Sequence, residues 1–223
     1  MRYLLLLLLI LACLLIGAGC TGREPAQQVE PTTPGTTPLP TTPGTTTILP
    51  GETAPSVPSS APEWRADGVI TTREYDNEVS VANGRMGVYW KNKGDTLHMG
   101  LRGQVTGWVA IGFEPTTGMK DADMILGYVS GGRVLVLDQH ATGTFGPHPS
   151  DTELGGTSDI LESGGSESGG VTVIEFSRKL NTGDRFDRVL VPGSTTRFIW
   201  AMADADVPTT QHNIARGSGQ LVL

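Results

Sequence analysis

The sequence predicts an all-β fold, an antiparallel β-sandwich of about ten strands formed by residues 62–223. From Glu63 onward, short apolar or β-branched runs alternate with glycine and asparagine turns, and no segment sustains a helical apolar period. The two-residue turn signals Asn83-Gly84 and Gly131-Gly132 join consecutive runs and predict hairpins. Strands that follow one another without helices favour an antiparallel sandwich over a parallel sheet.

The predicted strands differ in how deeply they are buried. Gly107–Phe113 is a continuous apolar run before Glu114-Pro115, which predicts a buried strand that ends where proline cannot continue the ladder. Thr96–Arg102 places its large apolar residues at alternate positions and predicts a half-buried strand. The full set of predicted strands is Val69–Thr72, Val79–Ala82, Met86–Lys91, Thr96–Arg102, Gly107–Phe113, Met124–Ser130, Arg133–Asp138, Val171–Ser177, Arg197–Ala203 and Gln220–Leu223.

Residues 141–170 do not fit this pattern, because they carry only scattered apolar side chains. A loop of this length inside a compact domain is usually functional or disordered. We therefore expect this segment to be a loop of one of those two kinds.

The beginning of the chain predicts a secretory leader. A basic start is followed by the apolar run Leu4–Ile16 and small residues up to Cys20, a run too short for a comfortable membrane span. The small residues before Cys20 resemble a lipobox, in which the cysteine becomes the lipidated first residue of a mature prokaryotic lipoprotein. Residues 1–19 are therefore predicted to be a lipoprotein-type signal peptide, with simple cleavage and secretion as the alternative.

Residues 20–61 predict a disordered linker rich in Thr and Pro, in which TTPGTT begins at Thr32 and again at Thr41. Such a segment cannot bury enough apolar surface to offset its chain entropy, so we expect a semi-extended stalk. The expected location is outside the cytoplasm and anchored to the cell membrane, or secreted if Cys20 is not lipidated.

Composition excludes several functions for the folded part. Both cysteines, Cys13 and Cys20, lie in the predicted leader, so no thiol remains for a disulfide, a thiolate metal site or a nucleophile. From Pro62 onward, 14 Lys and Arg residues face 20 Asp and Glu residues, and no basic cluster occurs. We therefore expect no nucleic-acid partner.

Several motifs together resemble the DOMON domain. They are TGWVAIGF followed by GMKDAD, then MILGYV, and near the C-terminus IWAMADAD with QHNIARGSGQLVL. The resemblance covers Trp64–Leu223. It implies a β-sandwich of immunoglobulin-like shape that binds a ligand between its sheets or at their mouth.

In the cytochrome members of this family the ligand is haem b, held by one methionine and one histidine. The resemblance assigns these roles to Met119, in the loop after GWVAIGF, and to His212, before the Arg-Gly pair. A thioether and an imidazole at both axial positions leave no open site for oxygen, so such a centre transfers electrons. The sequence has no Cys-x-x-Cys-His run, so any haem is expected to be non-covalent.

A haem also needs an apolar slot. We expect Trp108, Phe113 and Trp200 to form its walls and Arg216 to meet a propionate. Met124 is a rival thioether, although its place at the start of a strand favours a packing role.

Other functions stay open. A haem-free DOMON domain is expected to bind a carbohydrate or another small ligand, with the glycine-rich segment Gly155–Gly170 at the rim of the site. The sequence shows no nucleophile beside a base, no recognisable pair of catalytic carboxylates and no nucleotide loop, so we expect no catalytic site. The expected partners are a membrane, through the lipid anchor, and an unidentified redox protein or a sugar.

Two groups of residues carry side chains of types that bind cations. Asp121 and Asp123 are expected to cap their loop rather than to bind calcium. A carboxylate and imidazole group matches divalent cations in chemistry but shows no recognised ligand spacing; it comprises Asp138, His140, His148 and Asp151.

Overall fold

The computed structural model describes residues 63–223, which form two five-stranded antiparallel sheets. The first sheet has the order β1-β2-β3-β8-β7 and the second the order β10-β9-β4-β5-β6, which confirms the predicted all-β sandwich. The predicted signal peptide, Cys20 and the linker lie outside the described residues. Within residues 63–223, no helix has the length and apolar character to span a membrane. The strands are β1 (Asn77–Val81), β2 (Met86–Lys93), β3 (Thr96–Gly103), β4 (Val109–Phe113), β5 (Asp123–Ser130), β6 (Arg133–His140), β7 (Ile160–Ser168), β8 (Val171–Lys179), β9 (Thr195–Met202) and β10 (Ala215–Val222).

The main core lies between the two sheets, because each strand alternates its side chains between two faces. The inward side chains are almost all large and apolar, and burying each one contributes about 1.5–3 kcal/mol. The central strands supply most of them, including Leu97, Met99 and Leu101 from β3, Val109, Ile111 and Phe113 from β4, and Phe198, Trp200 and Met202 from β9.

Both predicted hairpin turns are confirmed. Gly131 and Gly132 have φ angles of +58° and +75° and join β5 to β6, where Ser130 pairs with Arg133. Positive φ at both central residues gives the twist that matches flanking strands, and glycine adopts it without steric cost. Asn83-Gly84 lies in a 3-10 turn, Ala82–Gly84, which links the paired strands β1 and β2.

The strand predicted at Val69–Thr72 was wrong, because local hydrogen bonds form a turn there. The backbone N–H and the hydroxyl of Thr71 donate to Glu74 Oε2 at 2.8 and 3.1 Å. Arg73 has a φ of +67°, which a strand does not accommodate. Side-chain acceptors close in sequence thus outcompete a ladder.

One strand was missed, since β7 (Ile160–Ser168) lies inside the segment expected to be a loop. It pairs with β8 at the edge of the first sheet. Its sequence, ILESGGSES, lacks the apolar pattern typical of a strand. Glycines occupy the positions at which another segment of the chain crosses over it. Gly164 is buried, and a Cβ at this position would overlap the carbonyl of Ala66.

The segment before β1 lies on the outer face of the first sheet. Glu175 of β8 is fully buried and accepts hydrogen bonds from Gly68 N at 2.7 Å and from the Tyr75 hydroxyl at 2.7 Å. Trp64 packs against the His98 ring with 4.4 Å between ring centroids. These contacts fix residues 64–75 across β3 and β8.

We predict that Gly164→Ala destabilises the domain by about 1–3 kcal/mol, because the added methyl forces the crossing segment away from β7. Urea unfolding of the full chain measures this loss. Ser163→Ala, at the exposed neighbouring position, should change stability by less than about 0.5 kcal/mol. Equal effects of the two substitutions would contradict the close crossing.

Candidate functional site

A cavity of about 1050 Å³ lies on the outer face of the second sheet. Strands β4, β5, β9 and β10 form its floor, and the loops after β4, β6 and β9 form its rim. Along β4, Val109, Ile111 and Phe113 face the core, whereas Ala110 and Gly112 face the cavity. The resemblance implied a ligand between the sheets or at their mouth. The structure instead has its cavity on the outside of one sheet.

The floor of the cavity is apolar, and its central side chains are small, with Ala110, Gly112 and Ala201 on adjacent strands. A Cβ at Gly112 would come within 3.0 Å of both Ile199 Cγ1 and Met124 Cγ, so a larger residue there would require these side chains to shift. An apolar floor with a few polar groups at its rim is typical of a small-molecule site.

Met119 is held at the rim by a network of hydrogen bonds in its loop. The Thr116 hydroxyl donates to Asp121 Oδ2 at 2.6 Å, and this bond lowers the pKa of Asp121. The Met119 N–H donates to the Thr144 carbonyl at 3.0 Å, which joins the loops after β4 and β6. The half-buried Met119 side chain lines the cavity and packs beside Met124.

His212 and Arg216 line the same cavity from the loop before β10 and from β10 itself. Arg216 Nη1 lies 3.2 Å from His212 Nδ1. A guanidinium can only donate, so Nδ1 accepts, and the proton of the neutral imidazole is on Nε2. Arg216 is exposed and forms no ion pair with any carboxylate of residues 63–223.

His148 is a cavity residue that the sequence did not assign to this site. Gln139 Nε2 donates to the His148 carbonyl at 2.9 Å, and this bond fixes the orientation of the Gln139 amide. The amide oxygen of Gln139 then lies 3.2 Å from His148 Nδ1. Nδ1 must therefore carry the proton, and Nε2 keeps its lone pair. Burial lowers the pKa of His148. No spacing in the sequence signals the pairing with Gln139.

The three aromatic residues predicted as walls have different positions. Trp108 lines the cavity, and its buried Nε1 has no hydrogen-bond partner within the described part of the chain. Phe113 is fully buried in the core and does not line the cavity. It is an odd number of positions from Trp108 along the chain, so its side chain points to the opposite face of the sheet. Trp200 borders the cavity, but its side chain packs in the core across Gly217.

The carboxylate and imidazole group that showed no recognised ligand spacing, Asp138, His140, His148 and Asp151, is not assembled. His140 Nδ1 lies 3.0 Å from the carbonyl of Phe186, while His148 lines the cavity. Asp138 and Asp151 do remain neighbours, since the Asp151 N–H donates to the Asp138 carbonyl at 3.2 Å.

Arg178 joins a buried acidic cluster on the inner side of the second sheet. Its Nη1 donates to both carboxylate oxygens of Asp123 at 2.8 and 2.7 Å, and its Nη2 lies 3.1 Å from Asp187 Oδ2. Arg178 and Asp123 are fully buried. The expectation that Asp123 caps its loop was therefore wrong: it begins β5 and faces inward, where it pairs with Arg178.

The other acids of this cluster bind protons more tightly than usual. Burial, together with neighbouring carboxylates, raises the pKa of Asp138 to about 7, of Asp151 to about 8 and of Asp187 to about 6. One guanidinium contacts this group, and it cannot balance four buried negative charges.

We predict that Arg178→Met lowers the free energy of unfolding by about 3–5 kcal/mol, because it leaves buried carboxylates without their cation. Lys179→Met is the matched control. Lys179 pairs with Asp95 at 2.7 Å, but both side chains are exposed, so its loss should cost at most about 1 kcal/mol. Chemical denaturation of both variants measures the difference, and similar losses would contradict the buried role of Arg178.

The fold and the cavity together define a class: a β-sandwich binding domain with an apolar site on the outside of one sheet, rimmed by imidazole, thioether and guanidinium groups. The chain belongs to the DOMON domain family, whose model matches residues 82–203.

Similar proteins include animal DBH-like monooxygenases. DBH-like monooxygenase protein 1 of Mus musculus is 32% identical over 155 residues, which cover 68% of this chain and 24% of that protein. The Homo sapiens protein of the same name is 28% identical over 145 residues, or 64% of this chain and 23% of the relative. This chain thus spans about a quarter of the length of these relatives.

Two solved structures show a partial likeness. The cytochrome b domain of pyranose dehydrogenase from Coprinopsis cinerea has a TM-score of 0.47 at 14% identity, with 65% of this chain and 80% of that chain covered. The cytochrome domain of Myriococcum thermophilum cellobiose dehydrogenase has a TM-score of 0.42 at 14% identity, with 62% and 74% covered.

Proposed function

We propose that this domain binds haem b non-covalently in the cavity on the second sheet and serves electron transfer, with Met119 and His212 as the axial ligands. The observation that carries the proposal is that these two side chains, from loops far apart in the sequence, line one cavity. Both are the residue types that the cytochrome members of the family use. A bound haem with both axial positions filled supplies one-electron chemistry.

The residues of the cavity fit a haem in three respects. The apolar floor with small side chains, Ala110, Gly112 and Ala201, leaves room for an apolar macrocycle. The rim offers thioether and imidazole donors, which suit iron. Arg216 has no carboxylate partner among residues 63–223, so its guanidinium is available for a propionate.

His212 must change its protonation to act as a ligand through Nε2. In the structure Nδ1 accepts from Arg216, so the proton is on Nε2. Coordination through Nε2 requires the proton on Nδ1 instead, and Nδ1 then can no longer accept from Arg216. Ligation by His212 would therefore release Arg216 toward an anionic group at the rim.

We predict that the purified full chain takes up hemin and gives a six-coordinate, low-spin optical spectrum. Met119→Ala should remove the thioether ligand, convert the spectrum to high spin and lower the reduction potential, because methionine favours ferrous haem. Met124→Leu is the matched control, since Met124 lines the same cavity from a strand and should leave the spectrum unchanged. Optical spectra and a redox titration measure these effects.

The histidine variants assign the nitrogen ligand. His212→Ala should lose the low-spin spectrum, whereas His148→Ala should keep it. The reverse result would show that His148, with its accessible Nε2, is the ligand. A wild-type chain that is folded and takes up no hemin would end the haem proposal.

A second candidate function is binding of a carbohydrate or another small ligand without haem. The indole N–H of Trp108, which is buried and has no hydrogen-bond partner among residues 63–223, favours it, as does the ring of Phe145, which lines the cavity and is 93% exposed. The expected rim at Gly155–Gly170 was wrong, because this segment does not line the cavity and residues 160–168 form β7 in the other sheet. If hemin does not bind, calorimetry with oligosaccharides tests this alternative.

We also propose that the protein acts outside the cytoplasm, anchored through a lipid on Cys20, because the leader ends in a lipobox-like sequence. The expected result is that palmitate labelling of producing cells marks the wild-type chain and that the protein sediments with membranes. Cys20→Ser should abolish the label and release the protein, and Cys13→Ser is the control that should change neither. Labelling that survives Cys20→Ser would contradict the anchor.

A further inference from the structure

The buried acidic cluster has the dimensions of a cation site. Oxygens of Asp123, Asp138 and Asp187 all lie within 4.8 Å of one another. Calcium binds carboxylate and carbonyl oxygens at about 2.3–2.6 Å, so two ligands on opposite sides of one ion are about 4.6–5.2 Å apart. One calcium ion could therefore reach all three carboxylates.

Asp151 gives a second and independent indication. It is 1% exposed, and neither of its carboxylate oxygens has a hydrogen-bond partner among residues 63–223. Its backbone N–H donates to the Asp138 carbonyl at 3.2 Å, so Asp151 lies beside the cluster. The Oδ1 atom of Asp138 is also buried without a partner. Unpaired oxygens in an interior are costly unless something else satisfies them.

We propose that Asp123, Asp138, Asp151 and Asp187 form a calcium site beside Arg178. A divalent ion supplies the positive charge that the single guanidinium lacks. An all-oxygen set without thiolate or imidazole selects a hard cation. Magnesium is disfavoured because it demands near-octahedral geometry and keeps several waters, for which a fully buried cluster leaves little room.

The raised pKa values of Asp138 and Asp151 agree with this site, since burial and mutual repulsion make these groups hold protons when no cation balances them.

The position of the site gives it a structural consequence. Asp123 and Asp138 belong to β5 and β6 of the second sheet. Arg178 belongs to β8 of the first sheet, and Asp187 follows that strand. Asp123 lies four residues after Met119, and Asp151 lies three residues after His148. An ion here would join the two sheets and fix the bases of two cavity loops.

The test uses the full chain, stripped with EDTA and free of hemin. Calcium chloride should raise the midpoint of thermal unfolding progressively with its concentration, as expected for a ligand that binds only the folded state. Calorimetric titration should show one site per chain. Magnesium chloride at equal ionic strength should give a clearly smaller shift.

Asp151→Asn should abolish the calcium-dependent shift while the calcium-free variant stays at least as stable as the wild type, because a neutral amide replaces a buried carboxyl group whose ionisation is unfavourable. Asp95→Asn makes the same charge change at an exposed position and should keep the full shift. The proposal is overturned if calcium neither raises the unfolding midpoint of the wild type nor gives heat of binding. It is also overturned if Asp151→Asn keeps the calcium-dependent shift. Neither result depends on whether the chain binds haem.

Discussion

The second sheet is apolar on both faces, and the site exists because of this. One face meets the first sheet and forms the core, while the other carries the cavity floor. A strand buried on both faces has no reason to alternate polar and apolar residues, which is why Trp108–Phe113 reads as an uninterrupted apolar run. The small residues of this run, Ala110 and Gly112, all lie on the cavity side. Large side chains fill the core, and the small side chains on the cavity side leave room for a ligand.

The loops that carry the polar groups are tied to each other as well as to the sheet. The Met119 N–H bonds to Thr144 in the next rim loop, and His148 in that loop is fixed by Gln139 of β6. Arg188 reinforces the first loop, since its guanidinium donates to the Asp121 carbonyl at 2.6 Å. Such ties hold the donor atoms of a site in place before a ligand arrives, which reduces the entropy lost on binding.

The sequence predicts the elements that follow a simple physical rule and misses those that depend on distant contacts. The hairpin at Gly131-Gly132 and the buried strand after Gly107 are local consequences of turn geometry and apolar content, and both are present. The strand β7 was missed because the glycine at position 164 is needed for the close approach of Ala66, about a hundred positions earlier in the sequence. The inward position of Asp123 was missed for the same kind of reason, since its partner Arg178 lies on another sheet. The tautomer of His148 depends on the orientation of the Gln139 side-chain amide, which no sequence pattern reveals. Phe113 lies in the core because its side chain points to the same face of the strand as those of Val109 and Ile111, opposite to Trp108.

The crossing of residues 64–75 over β3 and β8 also determines how the domain can be presented to other molecules. The described chain begins on the outer face of the first sheet, and the cavity opens on the outer face of the second. Residues 64–75 and the cavity are therefore on opposite sides of the sandwich. A partner that contacts the cavity would not meet residues 64–75.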